Sequence, residues 1–442
     1  MNFSRESNVT ARSTFPKSPS KFRVSTQGDE EKNASAFNPF SSARGFLVAG
    51  IFTNALLSLG GKMKPATELN AQQLHDLLDS IFNFRDTDRR LLFAIDLPRK
   101  GVKDTKAWRW LRKTAADWFR RFPKQLGPYA CSLVFYPATG TDGADLPKYG
   151  VEWFGGNLPE NWEGISNGPQ TAITNLLGAC NCAVWATQFS ATGPLKRLVA
   201  KHHLAVRVAT LPGFTRDMWP AFLVDYVEAT RRIAVIKALV DQAVAADIDF
   251  LVDGTNEYHL HVDLQGREQP EYECHASTGR ITENGQVGNG ISGEGFVKPN
   301  NEHDSKTEGW VPIQHRPDEP VVLYCFARNL VVEVVGEGRR ADDERLLMVT
   351  GRPHVYLGEL GFGILGGMGV KIPKKILDPN ALMLFLEKFT LHVAFEDPTM
   401  HADKVFLAEC MPRIRATLTL IMTDGSRRII IMNGKYASNL FV

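Results

Sequence analysis

The chain reads as an α/β domain with a parallel sheet, followed by an α+β domain built on antiparallel strands. Three observations lead there. Between residues 65 and 250, short apolar runs alternate with helical stretches, the texture of βαβ units. From Asp247 onward, strand-like runs alternate with Gly-rich turns instead. And 442 residues, at about 150 per domain, leave room for two or three domains and a large core.

Taken in order, residues 1–44 stand apart: seven Lys/Arg, four Asp/Glu, much Ser, Thr and Asn, and no helical or strand period. They read as a disordered leader. A targeting segment is the functional alternative, because the stretch carries Arg and Ser and few early acids. Gly45 to Leu59 is apolar but too short to span a bilayer, and reads as a buried helix. Helices are expected near Ala66–Phe84, Trp108–Phe119, Thr171–Leu177 and Leu195–Lys201, each leading into a strand: Leu91–Ile95, Ser132–Tyr136, Ala183–Phe189 and Ala205–Ala209. The spacing suits right-handed crossovers and a Rossmann-like sheet over 45–218. Apolar residues at three- and four-residue spacing, Phe222 to Ala243, predict a long linking helix over 219–246. Residues 247–442 form the α+β part, with strands at Phe250–Asp253, Tyr258–Leu264, Val321–Phe326, Leu330–Val335 and Leu346–Val349. Closing hairpins over 415–432 follow.

The net charge of +2 supplies no excess of basic residues to neutralise phosphates, which excludes nucleic acid as the expected partner. Six cysteines in so long a chain are too sparse for a disulfide framework, so reduced thiols and a cytoplasmic location are expected. Cys180 and Cys182 are not a C-x-x-C pair and read as buried structural thiols. No apolar run reaches about 18 residues, so no membrane-spanning helix is expected.

Several groups carry metal-ligand chemistry. His401-Ala-Asp403, with His392 upstream, pairs a neutral imidazole nitrogen with a hard oxygen, a combination that suits Zn, Mn, Fe or Mg. His259-Leu-His261-Val-Asp263 puts three ligand types on one face of a strand, a rival metal set, and the same alternation is that of a half-exposed strand. Glu294 and Glu359 lie between glycines, where the backbone can turn sharply or approach a ligand closely. The run Gly361 to Gly369 lacks the Gly-Lys-Ser/Thr of a phosphate loop.

In their order along 195–437, these segments resemble the thermophilic-type leucyl aminopeptidases (the aminopeptidase T family) and the 2,5-dihydroxypyridine 5,6-dioxygenases of the same superfamily. Leu211-Pro-Gly-Phe-Thr215-Arg-Asp-Met218 resembles the turn before the long helix, and Asp253-Gly-Thr255 with Gly266-Arg267 resembles a GT(D)…GR strand. Gly288-Asn-Gly-Ile-Ser-Gly-Glu294 resembles the NLPSGE turn. Leu357-Gly-Glu359-Leu-Gly resembles the ELGxG segment, His392-Val-Ala the His-Ile-Ala segment, and His401-Ala-Asp403 the closing H-x-D. The resemblance implies Glu294, Glu359, His392, His401 and Asp403 as ligands of divalent metal (Zn, Mn or Co), and a homodimer. The dioxygenase branch implies one Fe(II), with His where this chain has Glu359. This chain departs from the pattern in two ways: only residues 393–400 separate His392 from His401, and the family's catalytic Tyr in that loop has no counterpart. Three functions follow from the resemblance. The chain is a metal-dependent hydrolase of a peptide or small amide, an Fe(II) ring-cleaving dioxygenase, or a non-catalytic peptide- or partner-binding protein with a degenerate, metal-free site. The catalytic residues are unassigned.

Overall fold

The structure is a computed structural model. It describes residues 69–122, 130–266, 273–314, 319–350, 355–371, 386–397, 400–406 and 413–442, excepting the side chains of 347, 396–397 and 400–406. The leader over 1–44 and the apolar stretch Gly45 to Leu59 lie outside the described residues. Those described belong to one compact unit, Gly61–Val442.

The first half begins with α1 (Ala71–Phe82), β1 (Arg90–Leu97), α2 (Lys106–Arg121), β2 (Ala130–Pro137), β3 (Tyr149–Trp153), β4 (Gln170–Ala172) and α3 (Ile173–Gly178). It continues through β5 (Cys182–Thr187), α4 (Thr192–Lys201) and β6 (Arg207–Pro212). Asn70 opens α1 with a capping box, and Thr105 caps α2 at Trp108 N. β1, β2, β5 and β6 are parallel, and β5 and β6 are buried throughout. Helices cover both faces. Leu111, Ala115 and Trp118 of α2 pack on one face; Leu177 of α3 with Leu195 and Val199 of α4 pack on the other. The sheet is mixed rather than wholly parallel, because β3 and β4 add antiparallel at one edge. A strand from later in the chain, β10, adds parallel at the other edge.

The expected helix over 219–246 is corrected. α5 (Trp219–Phe222) and α6 (Tyr226–Val240) are separate helices. Asp225 restarts the helix, its Oδ1 accepting from Val227 N at 2.9 Å and Glu228 N at 3.0 Å. After Asp241 the chain turns, and Ala243–Ala246 belong to a strand.

That strand, β7 (Ala243–Val252), begins the second sheet with β8 (Asn256–Asp263), β9 (His275–Ser277), β11 (Glu294–Val297), β12 (Glu308–Ile313), β13 (Val322–Ala327) and β14 (Leu330–Val335). β10 (Val287–Asn289) lies between β9 and β11 in sequence. α7 (Arg339–Val349) follows, then β15 (Tyr356–Gly363), β16 (Leu391–Asp397), β17 (Met400–Phe406), β18 (Ile414–Met422), β19 (Arg427–Met432) and β20 (Lys435–Tyr436). All pairings within this sheet are antiparallel, in the order β17-β16-β15-β14-β13-β12-β8-β7-β18-β19-β20, with β11 between β15 and β9. Ala229, Ile233, Ile236 and Val240 of α6 pack on its apolar face. The Leu346–Val349 run, expected as a strand, is instead the last turn of α7. Charged pairs such as Arg340–Glu344 (3.1 Å) along the preceding turns make the segment helical. The closing hairpins form as expected, with Gly425 and Asn433 in left-handed turns. Among the described residues no helix is long and apolar enough to cross a membrane.

Candidate functional site

Strand register brings three of the expected ligands together. Glu294 opens β11 opposite Gly363 of β15, and His392 of β16 stands opposite Gly361. A bulge between Leu357 and Glu359 resets the alternation. Leu360 and Phe362 then join the main core while Glu359, Gly361 and Gly363 face the other side, as does His392 between Leu391 and Val393. His392 Nε2 lies 2.9 Å from Glu359 Oε1 and 3.8 Å from Glu294 Oε2. The glycines make room. A Cβ on Gly361 would overlap the His392 ring, and one on Gly363 would overlap the backbone of residues 387–390. Gly361, Gly363 and Gly366 of the Gly-rich run are therefore a close-packed floor, whereas Gly369 at its end faces open space. Gly293 (φ 143°) supplies the turn that aims Glu294 inward.

Two residues that sequence reasoning missed complete the cluster. Lys388 Nζ contacts Glu294 Oε1 and lies 2.5 Å from Glu387 Oε1. Glu294, Glu387, Lys388 and His392 are all buried, His392 completely. His392 Nδ1 faces the Thr390 carbonyl at 3.2 Å. Lys388 also lines a narrow crevice with Thr210, Leu211, Pro212, Met218, Asn289 and Ile291, at the carboxyl ends of β6 and β10. Ligands of open α/β sheets bind outside such strand ends. Thr192, Thr210 and Asn289 are linked there at 2.8–3.1 Å. Phe389 and Thr390 border a cleft of about 550 Å³, which Arg232, Lys435, Tyr436 and Phe441 also line.

His401 and Asp403 lie on β17, whose side chains are outside the description; its backbone pairs Asp403 with Phe395 and Phe406 with His392. A divalent metal needs its ligands gathered around one point. Among the described residues no group of three or more His, Cys, Asp or Glu is arranged that way. Glu294 instead carries the Lys388 ammonium and His392 Nε2 meets Glu359, so these three described donors, as arranged, do not fit a metal ion.

The rival set is redistributed by register. β8 alternates as expected, Leu260 and Val262 inward and His259 and His261 outward. The histidines stand opposite Asp249 and Asp247 of β7. His259 Nδ1 is 2.8 Å from Asp249 Oδ1 and His261 Nδ1 is 2.7 Å from Asp247 Oδ1, while Arg427 donates to Asp247 Oδ2 at 2.7 Å. Burial works to raise the Asp247 carboxyl, but the contacts with His261 and Arg427 outweigh it and hold it below the usual range. Asp263 serves elsewhere: it accepts from Asn300 Nδ2 and Lys306 N and fixes the 300–306 loop.

Another buried acid, Asp96, ends β1, where Gln188 N, Phe189 N and Trp108 Nε1 donate to it. Burial pushes its carboxyl up to about 7 against those hydrogen bonds. Cys180 and Cys182 are structural as expected: burial pushes both thiols up to about 12, away from reactive thiolate.

No family model and no curated protein matches the chain. Solved structures resemble it, among them the following two. The 2,5-dihydroxypyridine dioxygenase of Pseudomonas putida KT2440 shares 12% identity, with a TM-score of 0.49, over 85% of this chain and 100% of that one. Wild-type AmpT from Thermus thermophilus shares 15% identity, with a TM-score of 0.44, over 83% of this chain and 99% of that one.

Proposed function

We propose that this chain is a non-catalytic peptide- or partner-binding protein whose family-like metal site is degenerate. The observation that carries the reading is the closure of the cluster: His392, Glu294, Lys388 and Glu387 are buried against one another. A catalytic group must meet its substrate within about 3 Å, and among the described residues Lys388 alone of these four reaches a crevice, a narrow one. The cleft beside Thr390 is the ligand site in this reading. Its volume falls within the range of pockets that bind small ligands, and β20, the last strand of the sheet, offers an edge to an extended peptide. Calorimetry with a library of short peptides tests it. The expected result is binding that persists in EDTA and in Glu359→Gln, and that weakens in Arg232→Ala.

A metal-dependent hydrolase is the second reading, favoured by the convergence of Glu294, Glu359 and His392 on one face. About two divalent ions per chain, and peptide or aminoacyl-amide hydrolysis lost in Glu359→Gln or His401→Ala, would establish it in place of the first. A single iron with oxygen uptake on a hydroxylated pyridine would establish the oxygenase instead.

A further inference from the structure

We infer that the ammonium of Lys388 stands where a divalent cation would bind, and that this one side chain keeps metal out of the Glu294–Glu359–His392 cluster. The inference rests on the reading of that cluster as degenerate. The donors themselves are suitable, since two carboxylates and an imidazole are a common set for Zn or Mn. The ladder has already placed them on one face, with glycines between them. What distinguishes the cluster is a fixed positive charge. Buried carboxylates need a cation, and a compact ammonium with three donors answers Glu294 and Glu387 together. Lys388 is not a surface side chain that has folded in: it and Glu387 are buried, and the turn that carries them lies on Gly363 with no room for a Cβ between. Phe389 of the same turn is packed in the core of the first sheet, beside Leu365. The ammonium is thus built into the packing, and a divalent ion placed beside it would meet like charge at close range in a buried setting.

The experiment is equilibrium dialysis of the full chain, purified without a metal-affinity tag, against zinc or manganese chloride in separate runs, followed by elemental analysis. Lys388→Met keeps an unbranched apolar stem and removes the ammonium with its three donors. It is expected to take up about one ion per chain, at least about tenfold more tightly than the parent. Lys388→Arg is expected to behave as the parent, and Lys388→Met/Glu294→Gln to lose the gained ion. If Lys388→Met unfolds in metal-free buffer, a melting temperature that zinc or manganese raises in this variant alone supports the same inference. Uptake by Lys388→Met no tighter than by the parent overturns it. So does stoichiometric metal in the parent that Glu294→Gln removes. Hydrolysis of an aminoacyl amide by the parent would instead overturn the binding reading, so the two failures are told apart.

Discussion

Two histidine–carboxylate arrays lie on the same side of the second sheet, facing away from its main core, and meet opposite fates. At β7–β8, His259 and His261 face Asp249 and Asp247 across the ladder in the open, the two histidines 53% and 29% exposed. At β15–β16, His392 stands opposite Gly361 and meets Glu359 diagonally across the ladder; it is wholly buried, and the 386–390 turn closes over Gly363 and Gly366 beside it. Both arrays pair histidine with a carboxylate across neighbouring antiparallel strands. What differs is the cover, and with it the worth of each charge: exposed pairs are screened, whereas buried ones require a full set of partners. Only the covered array has recruited a buried lysine.

The largest effect should come from breaking the covered array. Glu294→Gln leaves the Lys388 ammonium short of one buried counter-charge, and is expected to cost about 3–5 kcal/mol in chemical denaturation. Adding Lys388→Met and Glu387→Gln together should recover much of that loss, since the buried set is then left without an uncompensated charge. If the triple variant is as unstable as the single, charge compensation is not what binds these residues. Gly361→Ala comes next. Its Cβ must displace the His392 ring, an overpacking cost of about 1–3 kcal/mol.

Asp96 sharpens the comparison, as a buried carboxylate held by neutral donors and not by an adjoining ammonium. Its folded pKa, about 7, lies above the unfolded value of 3.8, so the folded state binds the extra proton between those limits. Stability from this group is therefore present at acid pH and declines as pH rises through about 7, by roughly a few kcal/mol in total. Asp96→Asn should flatten the difference in melting temperature between pH 4 and 7. An unchanged pH profile would mean that Asp96 does not titrate there.

Most of the framework was legible because local pattern decides it. The apolar runs of β1, β2, β5 and β6 announce strands buried on both faces, and Asp424-Gly and Asn433-Gly announce the hairpins. The helix over 219–246 was overextended because apolar spacing runs on through Ala243, while the breaks at Asp225 and Asp241 are set by capping and by strand pairing with β8 and β18. Motif order found Glu294, Glu359 and His392. It missed Lys388, because Leu-Glu387-Lys388-Phe reads as an ordinary solvated charge pair. Its burial comes from contact with Gly363 on another strand. Asp247 was missed as the partner of His261 for the same reason: the match is made across the ladder, and Asp263, though two residues from His261, points its carboxylate into the 300–306 loop.

The smallest effects belong to the open array, and they separate its two members. His261 shares Asp247 with Arg427, and Asp247 is itself only 10% exposed, so the contact is partly shielded. His259 and Asp249 are both well exposed, and that pair is screened. His261→Ala is expected to cost about 1 kcal/mol or less, and His259→Ala to stay within about 0.5 kcal/mol of the parent. Raising the salt to about 1 M, where charges are screened beyond roughly 3 Å, should erase the difference between these two variants. It should leave the loss in Glu294→Gln nearly intact, because Glu294 is buried. A Glu294→Gln loss that fades with salt to the same degree would mean that the 386–390 turn opens readily in solution, and that the two arrays differ less than their burial implies.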